Sequence, residues 1–112
     1  MKVRRDFVTN SSSSSFIIAK RKCCTIDEIK NNLRENKKDI IYILDSFNEN
    51  TDDKSVEEFI DKLSEELFKE PSSLHIEDWV MSAVEYCSDD ESIGAFMYDY
   101  GYKLGTENFK VG

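Results

Sequence analysis

Few side chains in this chain could do chemistry. One histidine, His75, and three cysteines, Cys23, Cys24 and Cys87, make up the imidazole and thiol inventory. A histidine serves as a base when a nucleophile sits within hydrogen-bond reach. His75 stands between Leu74 and Ile76 at the expected start of a helix, where a surface or capping role is the ordinary one. Cys24 is the more interesting group. It directly precedes Thr25-Ile26-Asp27-Glu28, a helix-start signature, with Arg21 and Lys22 close in sequence. Helix N-terminal amides and nearby cations stabilise a thiolate, so Cys24 is the candidate reactive thiol. Its alternative is a small buried hydrophobe at the end of a strand.

No metal site follows from these residues. Cys23 and Cys24 are neighbours, with Cα atoms ~3.8 Å apart, too close for an ordinary disulfide. Neither the usual zinc spacings nor a His-Glu-x-x-His pair occurs, and no glycine-rich phosphate loop precedes a helix. The sequence therefore assigns no catalytic residue, no metal ligand and no cofactor.

The carboxylates are more suggestive. Glu57, Asp61 and Glu65 recur at every fourth position of an expected helix. At 1.5 Å per residue that spacing gives one negative charge every ~6 Å along one stripe. The stripe lies opposite Val56, Phe59, Ile60 and Leu63 and should face solvent. Glu66, Asp52 and Asp53 extend the same region, with Glu70 at its far end. Glu77, Asp78, Glu85, Asp89, Asp90 and Glu91 form a second acidic zone. A partner's basic groove, normally filled by phosphates, would accept such a surface. Solvation of an ordinary helix face is the simpler account of the same charges.

Ser11, Ser12, Ser13, Ser14 and Ser15 form an unbroken serine run, flexible by composition. It reads either as a tether or as a modification loop. A phosphate there adds about −1.5 to −2 charge and would draw in Arg4, Arg5, Arg21 and Lys22. The segment Arg5-Asp6-Phe7-Val8-Thr9-Asn10, followed by these serines and Phe16, resembles an N-terminal segment of small uncharacterised bacterial and phage proteins. Their common form has Gly at the position of Asp6 and Ser or Thr at that of Thr9. The resemblance covers about 14 of the 112 residues and implies a bacterial or mobile-element accessory protein. It carries no activity and no site residues with it.

The elements that must position these groups follow from periodicity. Residues 15–22 read as a strand, and Val3 to Val8 could pair back on it. Thr25-x-x-Glu28 is a capping box that opens a helix with Ile26, Ile29 and Leu33 on its apolar stripe. The stripe Ile40, Ile43, Leu44 and Phe47 fits a second helix capped by Asp39, or a continuation of the first; a strand at 39–44 is the remaining option. Ser55-x-x-Glu58 is a second capping box ahead of Val56, Phe59, Ile60, Leu63 and Leu67. Ile76, Trp79, Val80, Ala83, Val84 and Cys87 repeat the helical stripe. Ser88-x-x-Glu91 is a third box, leading into Ile93, Phe96, Met97 and Tyr100, with Gly101 as a left-handed cap. Asn108 to Val111 would add one short strand beside residues 15–22. The expected fold class is α+β and mostly helical: four or five helices around one core, with a small antiparallel sheet from the N-terminal segment that the C-terminal segment can join. Trp79, Phe59 and Phe96 are expected in that core. Residues 1–15 form a basic, serine-rich arm, and 16–112 a single acidic globular domain.

Size and charge bound the function. The chain has 112 residues, enough for one domain with its own core. Its 15 Lys+Arg against 23 Asp+Glu give a net charge of −8. That balance argues against direct binding of nucleic acid or an anionic membrane, which needs cations to displace counterions. Residues 1–24 oppose the trend, with Lys2, Arg4, Arg5, Lys20, Arg21 and Lys22 against Asp6 alone. No apolar run approaches the ~20 residues that span a bilayer. The basic N-terminus leads into serines where a signal peptide has an apolar core, and three unspaced thiols suit a reducing compartment. The expectation is a cytoplasmic accessory protein that acts by binding a protein partner, at its most concrete a phage or mobile-element inhibitor that fills a basic groove. A thiol enzyme or redox protein using Cys24, and a regulator switched at Ser11 to Ser15, are the alternatives.

Overall fold

The computed structural model describes residues 13–69, 73–87 and 91–112. The chain runs β1 (Ser13–Arg21), α1 (Ile26–Glu35), α2 (Lys37–Ser46), α3 (Asp53–Phe68), β2 (Ser73–Ile76), β3 (Trp79–Cys87), α4 (Ser92–Tyr100), a 3-10 turn (Gly101–Lys103), β4 (Gly105–Thr106) and β5 (Phe109–Val111). The five strands form one antiparallel sheet in the order β2-β3-β1-β5-β4.

This architecture is α+β, but it corrects the expected balance. The sheet is not a small appendage of the chain ends. Its longest ladder joins β1 to β3 over nine residue pairs, from Ser13 opposite Cys87 to Arg21 opposite Trp79. Residues 76–87, expected as a helix, make the end of β2 and all of β3. Their apolar residues fit both periods, and the alternation decides: Val80, Ser82, Val84 and Tyr86 face the core, while Trp79, Met81, Ala83 and Glu85 face the other way. Glu77 and Asp78, read as helix body, are the two-residue turn between β2 and β3. Glu77 takes the left-handed conformation (φ 55°) that such hairpin turns need. The short C-terminal strand does form, with Phe109 opposite Lys20 and Val111 opposite Ile18.

The helices differ from expectation mainly at their caps. The first starts as its capping box requires, with Thr25 Oγ1 accepting from the Glu28 amide at 3.3 Å. Glu28 does not reach back; its carboxylate accepts from Thr106 and, at 3.2 Å, from Asn108, which ties α1 to the C-terminal hairpin. The chain breaks at Asn36 and resumes as α2, so 39–44 is helix. Asp39 is no cap; it pairs with Lys103 at 2.6 Å. The third helix begins earlier than Ser55, because Asp52 takes the Ser55 amide at 2.8 Å. In α4, Glu91 is the N-cap and makes no side-chain cap bond; Ser88 lies outside the described residues. Gly101 is right-handed (φ −56°), so the chain tightens into the 3-10 turn instead of ending in a left-handed cap.

The helices pack on the sheet face that carries Ile18, Tyr86 and Phe109. Ile29, Leu33, Ile40, Val56, Ile60, Leu63, Leu67 and Phe96 complete that core. Phe59 meets Phe96 edge to face at 5.7 Å. Gly94 brings α4 against the end of β3, where a Cβ would stand 1.7 Å from the Cys87 carbonyl oxygen. Lys20 also enters this layer and is 2 % exposed. Its ammonium donates to the carbonyls of Phe68 and, at 3.3 Å, Leu67, at the C-terminal end of α3, and lies 4.6 Å from the Phe68 ring. The last helical carbonyls lack intrahelical donors, and a cation there also meets the negative end of the helix dipole. Among the described residues no helix is long and apolar enough to cross a membrane.

Candidate binding face

A strand sends alternate side chains to opposite faces, so the register fixes what the second face of the sheet displays. Ile17 stands opposite Ala83, Ala19 opposite Met81, and Arg21 opposite Trp79. The β2 ladder adds Leu74 beside Met81 and Ile76 beside Trp79. The result is a contiguous apolar surface across β2, β3 and β1. Ile17 is 44 % exposed, Leu74 61 % and Ile76 47 %. Trp79, Met81 and Ala19 are half-buried by their neighbours, and Ala83 is exposed. Among the described residues nothing is packed over this face.

Polar groups stand at its two ends. Ser15 and Glu85 form one cross-strand pair. At the other end the Arg21 guanidinium lies 4.5 Å from the Trp79 ring and 3.1 Å from the Asp78 carboxylate. Trp79, expected in the core beside Phe59 and Phe96, is therefore a surface anchor held by a stacked arginine. Lys110 of β5 stands beside Ala19 on the same face and marks its side edge; inside that polar border the face carries the Trp, Met and Arg side chains that interface centres favour.

The acidic residues singled out from the sequence are placed differently. Glu57 and Asp61 do share a stripe of α3, but the stripe faces cations of α1: Arg34 pairs with Glu57 at 3.2 Å and Lys30 with Asp61 at 3.3 Å. Glu57 holds the Arg34 guanidinium above its ordinary pKa, through their hydrogen bond first and their charge second. Asp53 pairs with Lys37, Glu66 with Lys69, and Asp52 caps α3; hydrogen bonding to Ser55 lowers the Asp52 pKa. Glu65 is exposed on the same helix. The α3 carboxylates thus serve α1–α3 packing and helix ends, rather than a continuous unneutralised surface.

Cys24 is buried, and burial pushes its thiol up to about 11, with Glu28 adding to the shift and Lys20 opposing it. Its Sγ lies 3.6 Å from the Thr25 carbonyl oxygen. Such a thiol stays protonated at neutral pH, which removes the thiolate that a Cys24 nucleophile needs. His75 is exposed on the edge strand β2, not at a helix start, with Ser73 Oγ at 3.4 Å. Ser13, Ser14 and Ser15 belong to β1 rather than to a flexible loop, and Ser15 stands opposite Glu85, a poor neighbour for a phosphate. Ser11, Ser12 and the Val3–Val8 pairing lie outside the described residues. No three His, Cys, Asp or Glu side chains come together as a metal site among the described residues.

One groove of about 630 Å³ runs between the α2–α3 loop, α3 and the start of α4. Its rim is polar, with Glu49, Glu58, Lys62 and Glu91, and Ser92 already donates to Glu49 at 3.4 Å. Neither its shape nor its charge is specific for a ligand class. No protein-family model, no curated protein and no solved structure matches the chain.

The sequence hides the open sheet face, because residues 76–87 also satisfy a helical period. Its one available signal was Glu77-Asp78 between two short runs rich in β-branched and aromatic residues.

Proposed function

We propose that this chain is an accessory protein that acts by binding another protein, through the uncovered face of its sheet rather than through the acidic stripe of α3. One observation carries the reading: Ile17, Leu74, Ile76, Met81 and Trp79 share one sheet face that no described residue covers. Single exposed apolar residues are ordinary, whereas a contiguous patch rimmed by polar groups marks an interaction site. Fully burying one large apolar side chain contributes about 1.5–3 kcal/mol, so a few such anchors suffice for specific association.

Photo-cross-linking in the native cell tests this. Benzoylphenylalanine replaces Leu74 on the face, or Tyr42 on α2 as an equally exposed control. The reading expects a discrete adduct at position 74 that is absent at position 42. No adduct at position 74, or the same set at both positions, would overturn it.

A further inference from the structure

We propose that two copies of this chain meet through the uncovered sheet face, stacked face to face with their strands running in opposite directions. The inference rests on the protein-binding reading and names its partner.

The charges of the face carry it. Along the β1–β3 ladder, Glu85 lies at one end and Arg21 at the other, with Ile17, Ala83, Ala19 and Met81 between them; Lys110 of β5, beside Ala19, donates to the Thr106 carbonyl at the side edge of the face. A two-fold axis lying between the two sheets and crossing the strands reverses strand direction in the second copy. Each Glu85 then meets the Arg21–Trp79 end of its partner, and the apolar rows meet each other. A two-fold axis along the strands would put Glu85 against Glu85. The pattern thus selects one of the two symmetric stackings. Two-fold dimers bury the same patch of both subunits, which must therefore complement itself, and this patch does. Aligned sheets pack about 10 Å apart, close enough for facing side chains to interdigitate.

Arg21 is prepared for the role. Stacking on Trp79 and pairing with Asp78 hold its guanidinium in place before the second copy arrives. A guanidinium presents five donors in a planar fork, so it can keep Asp78 and also take a second carboxylate. Both ends of the dimer then carry the same contact, Glu85 of one copy to Arg21 of the other.

Charge swapping tests the contact on the full chain, with native mass spectrometry as the readout. The wild type is expected to form a dimer at ~100 μM or below, the range of a modest interface. Glu85→Arg and Arg21→Glu each place like charges at both ends and should weaken self-association roughly tenfold or more. An equimolar mixture of the two variants should recover the dimer as a mixed pair, because both of its ends again carry opposite charges. Leu74→Lys should also abolish the dimer, while its thermal melt matches the wild type at a dilution where both are monomeric. A wild type that is monomeric throughout, swaps that leave the dimer unaltered, or a mixture no more dimeric than either variant would overturn the inference. A monomeric wild type with a cross-link at position 74 to some other protein overturns the dimer and leaves the binding reading standing. Absence of both overturns both.

Discussion

Arg21 lies over the indole of Trp79 at 4.5 Å, on the sheet face that no described element covers. The pair comes from cross-strand neighbours at the end of the longest ladder, so the sheet itself sets its geometry. The stacked guanidinium and its Asp78 partner hold the indole in one orientation on the sheet.

Tyr86 and Cys24 predict a loss of stability in alkali. Burial raises the Tyr86 hydroxyl from 10.0 to about 12 and the Cys24 thiol from 9.0 to about 11. Both groups deprotonate at lower pH in the unfolded chain than in the folded one. Their contribution is complete below pH 9 and is lost as pH rises through about 11 and 12. Thermal melts should show Tm falling across that window. Tyr86→Phe should flatten the upper part of the fall. It should also hold or raise stability at neutral pH by up to ~1 kcal/mol, because the buried Tyr86 hydroxyl has no hydrogen-bond partner among the described residues. A steeper alkaline fall in Tyr86→Phe than in the wild type would refute this account.

Lys20 predicts a different outcome from an ordinary surface lysine. Its ammonium serves the carbonyls of Leu67 and Phe68, linking β1 to the end of α3. Lys20→Met keeps the stem and removes the donors, leaving those buried acceptors short. Hydrogen bonds to a charged group are worth about 1.5–3 kcal/mol, and urea denaturation should show a loss of that order. Lys22→Met, at an exposed position, should change little. Equal effects of the two substitutions would contradict the cap.

Gly94 predicts a steric loss. A Cβ there meets the Cys87 backbone at 1.7 Å, and backbone cannot swing aside as a side chain can. Gly94→Ala should cost about 2 kcal/mol or more, although alanine is the better helix former. Gly112→Ala, with nothing within 4 Å, is the control. A Gly94→Ala chain as stable as the wild type would mean that α4 does not sit this close to β3.

Legibility in the sequence fails chiefly over β2 and β3. Local signals located α1 through the Thr25 cap and α3 through its apolar stripe, and both helices are present. Phe109–Val111 was legible as a strand beside β1 because its residues favour extended backbone. The segment 76–87 was not, since Ile76, Trp79, Val80, Ala83, Val84 and Cys87 satisfy a helical stripe as well as a pleat. Pairing with all nine residues of β1 settles that ambiguity, and this long-range contact has no local signature. The same error hid the candidate site, whose apolar face exists only when 74–85 is read at period two. The α3 stripe was read correctly as a face but without its neighbours, because Lys30 and Arg34 reach Asp61 and Glu57 only after α1 and α3 pack.

Sedimentation equilibrium of the full chain beside Leu74→Lys, across a range of concentrations, tests the central claim most directly. The account predicts a wild-type mass that rises from 13.0 kDa towards twice that value with concentration, while Leu74→Lys remains at 13.0 kDa and melts at the wild-type temperature at a dilution where both are monomeric. One chain mass for both proteins at every concentration, or equal dimerisation of both, would contradict it.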